Sequence, residues 1–133
     1  MREKDLPAAM ALSYLGDAVY SLYVRRRLVK MGVSHAGELN RMSLDYVTAP
    51  RQAEMAKRLL PMLTEEEAGV YRRAFNHKGL SRPSHASYGE YRAATGFEAV
   101  LGALFYAGEE ERLYALLDTI HSNEFNEKEE DSQ

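Results

Sequence analysis

Leu12-Ser13-Tyr14-Leu15-Gly16-Asp17-Ala18-Val19-Tyr20-Ser21-Leu22-Tyr23-Val24 is an apolar run with a single carboxylate at its centre, beside a glycine. It reads as a helix, and an expensive one. An ionised acid is costly to move out of water unless something pairs with it. Asp is a poor interior helix residue, and Gly costs about 1 kcal/mol more than Ala there. The segment Thr95-Gly96-Phe97-Glu98-Ala99-Val100-Leu101-Gly102-Ala103-Leu104-Phe105 repeats the pattern, with Glu98 as its one acid between two glycines. Taken singly, each acid is explained by a buried pair with an arginine. Taken together, the two stretches point to helices brought face to face, each presenting one carboxylate. Such hard oxygen ligands suit Mg²⁺, which binds a few carboxylates, several waters and phosphate oxygens. A metal so placed can generate a hydroxide nucleophile and neutralise a phosphodiester.

The rest of the chain also reads as helical, with no strand-like alternation or hairpin signal, so the class is all-α. The first helix is expected from about Leu6 to Met31, with Pro7 in its first turn and Gly32 as its stop. Ser34 is expected to cap a short helix through Arg41, followed by a helical stretch from Ser43 to Leu60 that contains Pro50. Either Pro50 kinks that stretch, or Thr48 caps a second helix with Pro50 in its first turn. Thr64-Glu65-Glu66-Glu67 and Ser87-Tyr88-Gly89-Glu90 have the form of capping boxes. Between the helices they start lies Leu80–Ala86, a basic segment with no periodicity, expected to be the longest internal loop. A final helix is expected after Glu109-Glu110-Glu111 to about His121.

With 133 residues and 45% hydrophobic content, the chain can build one sizeable core. It has no cysteine, which excludes disulfides and thiolate metal sites. No apolar run is long enough to span a bilayer, and Met1–Asp5 lacks a signal-peptide core, so a cytoplasmic protein is expected. The net charge of −3 is unevenly spread. Residues 124–133 hold five acids against Lys128 and are expected to be a disordered tail, leaving residues 1–123 as the folded body with 16 basic and 15 acidic side chains. The body's cations cluster at Arg25–Arg27 and again at Arg72, Arg73, Lys78, Arg82 and Arg92, which leaves room for a polyanionic partner. The four histidines are scattered without zinc-ligand spacing and read as surface or loop residues.

The two acid-bearing segments carry a family resemblance. Tyr14-Leu15-Gly16-Asp17-Ala18-Val19 resembles the signature helix of ribonuclease III, and Phe97-Glu98-Ala99-Val100-Leu101-Gly102-Ala103 resembles that family's second metal-binding helix. Ser13 and Thr95 stand where the larger enzymes have a further Glu and Asp, and the chain has no room for their separate double-stranded-RNA-binding domain. With the run Tyr91 to Ala99, these departures make it similar to the compact Mini-ribonuclease III subfamily. The resemblance implies a symmetric homodimer with Tyr14 packing across the interface. It implies Asp17 and Glu98 as catalytic residues holding Mg²⁺, and hydrolysis of double-stranded RNA to 5′-phosphate and 3′-hydroxyl ends. The implied substrate is the precursor stem of 23S ribosomal RNA, with a ribosomal protein as a further partner in presenting it. Arg72, Arg73, Asn76, Lys78, Arg82 and Arg92 are the expected RNA contacts, because flexible cations suit the phosphates and 2′-hydroxyls of A-form RNA. The alternative is a non-catalytic RNA-binding or ribosome-assembly module on the same fold.

Overall fold

The computed structural model describes residues 1–78 and 86–125, and these contain helices and turns but no strand. The helices are α1 (Ala9–Lys30), α2 (Ala36–Val47), α3 (Ala49–Leu59), α4 (Glu65–Phe75), α5 (Tyr88–Tyr106) and α6 (Glu110–Ile120). Short 3₁₀ turns cover Glu3–Asp5 and Leu60–Met62. No described helix is long and apolar enough to cross a membrane.

The two helices singled out by their acids form the centre. α5 packs on α1, α3 and α4, and α6 closes the bundle against α5 and α3. Tyr20, Val24 and Leu28 of α1 meet Phe97, Leu101 and Leu104 of α5 in one core, to which Met55, Leu59, Leu113 and Leu117 also belong. Helix boundaries follow local chemistry. At α4, the Thr64 N–H donates to Glu67 Oε1 (2.8 Å) and the Glu67 N–H to Thr64 Oγ1 (3.2 Å). At α5, Ser87 and Glu90 make the same reciprocal pair. Glu67 gains a second role. Only 3% exposed, it accepts from Arg112 of α6 through both carboxylate oxygens, each at 2.8 Å.

Three expectations shift, and one open alternative is settled. α1 starts at Ala9, after Pro7, because Leu6 is extended as a residue before proline must be. α2 starts at Ala36 and runs past Arg41 and Ser43 to Val47, and Ser34 does not cap it. Thr48 is extended (φ −71°, ψ 155°), so the stretch breaks there into two helices with Pro50 in the first turn of α3. Arg51 and Gln52 of α3 donate to the Asp45 and Val47 carbonyls, which satisfies groups that the end of α2 leaves open. Last, the packed body continues past residue 123. Glu124 pairs with Arg51 and Arg58, and buried Phe125 stacks on Tyr46 at 4.8 Å. Residues 126–133 and most of the expected basic loop lie outside the described residues.

Candidate active site

The crossing of α1 and α5 is closer than ordinary side chains allow. A Cβ on Gly16 would fall 1.7 Å from the Glu98 carbonyl oxygen, and one on Gly102 would fall 1.9 Å from that of Leu12. Helix spacing then does the rest. Ser13 and Asp17, one turn apart on α1, share a face with one another, as do Thr95 and Glu98 on α5. These four line a cleft of about 340 Å³, whose far wall is Val47, Ala49 and Gln52 at the α2–α3 break.

Asp17 is exposed at the cleft, whereas Glu98 is half-buried. Burial pushes the Glu98 carboxyl up to about 8, and the neighbouring Asp17 carboxyl adds to the shift through hydrogen bonding and charge. Gln52 and Ser13 pull weakly the other way. The Ser13 hydroxyl donates to Glu98 Oε1 at 3.2 Å. Thr95 turns back into its own helix and donates to the Tyr91 carbonyl at 2.8 Å. No described Lys, Arg or His forms an ion pair with Asp17 or Glu98, so the explanation by buried arginine pairs does not hold among these residues.

Two carboxylates crowded together without a counter-charge are electrostatically unfavourable, and a divalent cation relieves that directly. The donor set is all hard oxygen, from Asp17, Glu98 and the Ser13 hydroxyl, and therefore fits Mg²⁺. Among the described residues no three His, Cys, Asp or Glu side chains converge, so most ligands of such an ion would be water or substrate oxygen.

The expected RNA contacts fall into three groups. Arg72, Asn76 and Lys78 are exposed at and beyond the end of α4. Arg73 is held by Glu3, its Nε 2.6 Å from Oε2. Arg92 straps two helix ends together: it donates to the Phe75 carbonyl at 2.6 Å and to the Tyr88 hydroxyl at 3.0 Å, over whose ring it lies. Arg82 lies outside the described residues. Tyr14 is 85% exposed, on an outward face of α1 that also shows Leu22 and Val29.

Sequence reasoning missed Gln52, which is 2% exposed in the cleft wall. Its signal was a polar residue within the apolar spacing Ala49, Ala53, Ala56 of α3. It also missed His121, which is not a surface residue but 1% exposed, its Nε2 at 2.9 Å from the Tyr20 hydroxyl. Burial lowers that imidazole to about 4.

Comparison with known proteins agrees with this architecture. The family model described as "Ribonuclease III domain" matches residues 10–109. The chain is 46% identical over 108 residues to a Mini-ribonuclease 3 of Symbiobacterium thermophilum, covering 81% of this chain and 83% of that one. It is 43% identical to the Mini-ribonuclease 3 of a Thermoanaerobacter species, covering 82% and 77%. A crystal structure of a Fusobacterium nucleatum protein superposes with a TM-score of 0.81 at 26% identity, over 94% of this chain and all of that one. With the matched segment carrying both acid-bearing helices and their glycine crossing, the chain belongs to the ribonuclease III family, within its Mini-ribonuclease 3 group.

Proposed function

We propose that this chain is a Mg²⁺-dependent endoribonuclease that cuts double-stranded RNA, with Asp17 and Glu98 as its catalytic and metal-holding residues. The observation that carries the proposal is the pair of neighbouring carboxylates with no cationic partner among the described residues, set at a crossing that only glycine permits. The matched relatives are ribonucleases by name, which supports the same chemistry here.

Magnesium held there would offset charge on the scissile phosphodiester and lower the pKa of water toward neutrality. The protein's own residues set the geometry. Ser13 orients Glu98 through Oε1, and the backbone contact at Gly16 fixes where α5 presents that carboxylate. Asp17 faces the open side, where a phosphate would enter. In-line attack of water on phosphorus breaks the bond to the 3′ oxygen of the preceding nucleotide, which leaves with a proton as a 3′-hydroxyl and leaves a 5′-phosphate. Arg72, Asn76 and Lys78, joined by Arg73, Arg82 and Arg92, form the proposed track for the RNA backbone.

Two finer readings belong with this one. The natural substrate is the 23S ribosomal RNA precursor stem, presented with help from a ribosomal protein. The active form is a homodimer, supported by the exposed apolar face of Tyr14, Leu22 and Val29. Incubation of a 23S precursor stem with the chain and Mg²⁺, followed by end mapping, tests the substrate: discrete cuts with 5′-phosphate ends are expected. Binding without cleavage would favour the non-catalytic module. Sedimentation of wild type and Tyr14→Glu tests the dimer, with dissociation expected for the variant.

A further inference from the structure

Gln52 has a feature that a space-filling residue does not need. Its side chain is more than nine-tenths buried in the wall of the carboxylate cleft, yet its Oε1 has no hydrogen-bond partner among the described residues. Buried polar side-chain atoms are nearly always partnered, and leaving one unpaired costs about 1–3 kcal/mol. The nitrogen of the same amide is engaged. Nε2 donates to the Val47 carbonyl at 3.2 Å, at the last residue of α2, and the side chain lines the same cleft as the Glu98 carboxyl, whose charged form it favours. A reversed amide would aim oxygen at the Val47 carbonyl, so that acceptor fixes its orientation and leaves Oε1 without a partner among the described residues.

We propose that Gln52 is a positioning residue for the cation site, holding the Glu98 carboxylate from the α2–α3 break through its amide nitrogen. Three elements then converge on one oxygen-bearing group. Ser13 of α1 holds Glu98 Oε1, Gln52 of α3 steadies the carboxylate from the opposite wall, and α5 supplies the acid itself. The break at Thr48 acquires a purpose in this scheme. It ends α2 at Val47, whose free carbonyl anchors the amide. Groups that orient a metal ligand without touching the metal typically change affinity by about 10–100-fold when removed. The inference rests on the reading of Asp17 and Glu98 as cation ligands, and its test separates the two.

Binding of Mn²⁺ to the full chain, followed by electron paramagnetic resonance without RNA, provides a readout independent of turnover. Wild type, Gln52→Met, Gln52→Asn and Asp17→Asn are compared, with thermal melting of each cation-free protein. Gln52→Met keeps length and burial but removes the donor; Gln52→Asn keeps the amide but withdraws it by one methylene. The expected result is cation affinity weakened about 10–100-fold in Gln52→Met, with melting close to wild type. Should Gln52→Met fold poorly, Gln52→Asn carries the comparison with the same expectation. Wild-type affinity in the folded Gln52 variants, alongside loss in Asp17→Asn, would overturn the role of Gln52 and leave the cation site standing. Undiminished binding in Asp17→Asn would overturn both.

Discussion

Gly16 of α1 and Glu98 of α5 touch backbone to backbone, at a separation that leaves no space for a methyl group at residue 16. The contact sits beside both acids, so the packing of the core and the geometry of the site are one feature. Gly16→Ala drives its Cβ into a carbonyl rather than into a flexible side chain, and the helices must separate. The expected cost is about 1–3 kcal/mol in chemical denaturation. A displacement of about 1 Å at the site is expected to lower kcat about 100-fold. Gly37→Ala, where a Cβ meets nothing within 4 Å, is the control and should leave both unchanged or raise stability slightly.

Glu98 makes the cation-free protein less stable as the solution becomes more alkaline. Its folded carboxyl lies at about 8, above the ordinary 4.5, so the folded chain holds a proton that the unfolded chain has released. That contribution is fully present below about 4.5 and is lost as pH rises toward 8, a change on the order of 5 kcal/mol. Glu98→Gln should flatten this part of the stability profile in melts between pH 5 and 8. Added Mg²⁺ should restore wild-type stability at the alkaline end and leave the variant unaffected.

His121 works in the opposite sense. Burial lowers it to about 4, so it stays neutral in the fold while an unfolded histidine takes up a proton near 6.5. Its contribution is present above about 6.5 and is lost as pH falls toward 4. His121→Gln, which can still bond the Tyr20 hydroxyl, should reduce acid sensitivity in that window, at a cost of about 1–3 kcal/mol near neutrality from lost ring stacking on Tyr20 and Tyr23.

The helices and the pair of acids were legible because each rests on local chemistry. Thr64 with Glu67 and Ser87 with Glu90 announce helix starts within four residues, and a lone acid beside glycine in an apolar run announces a close approach. What stayed hidden depends on distant partners. Glu67 reads as a cap, and nothing near it in sequence reveals Arg112. Glu124 opens an acidic tail by composition, yet Arg51 and Arg58 draw it into the fold, and Phe125 follows into the aromatic cluster around His121. The break at Thr48 was one of two open readings, because proline near a helix start and proline in a kink look alike without the third dimension.

The cations near α4 should separate by role in an RNA-binding titration. Arg72→Ala and Lys78→Ala are expected to weaken duplex binding without changing melting, each reducing the salt dependence by about one unit of slope. Arg92→Ala should lower thermal stability as well, by about 1–2 kcal/mol, because it releases the Phe75 carbonyl and the Tyr88 ring. A salt-independent affinity for wild type would contradict the proposed track.

The most direct measurement is cleavage of an end-labelled RNA duplex by wild type, Asp17→Asn and Glu98→Gln at equal folded concentration, with and without Mg²⁺. Mg²⁺-dependent cutting by wild type alone is expected, with both variants folded, still binding the duplex, and slower by at least about 100-fold. Cutting by either variant at the wild-type rate, or by wild type without any divalent ion, would contradict the account.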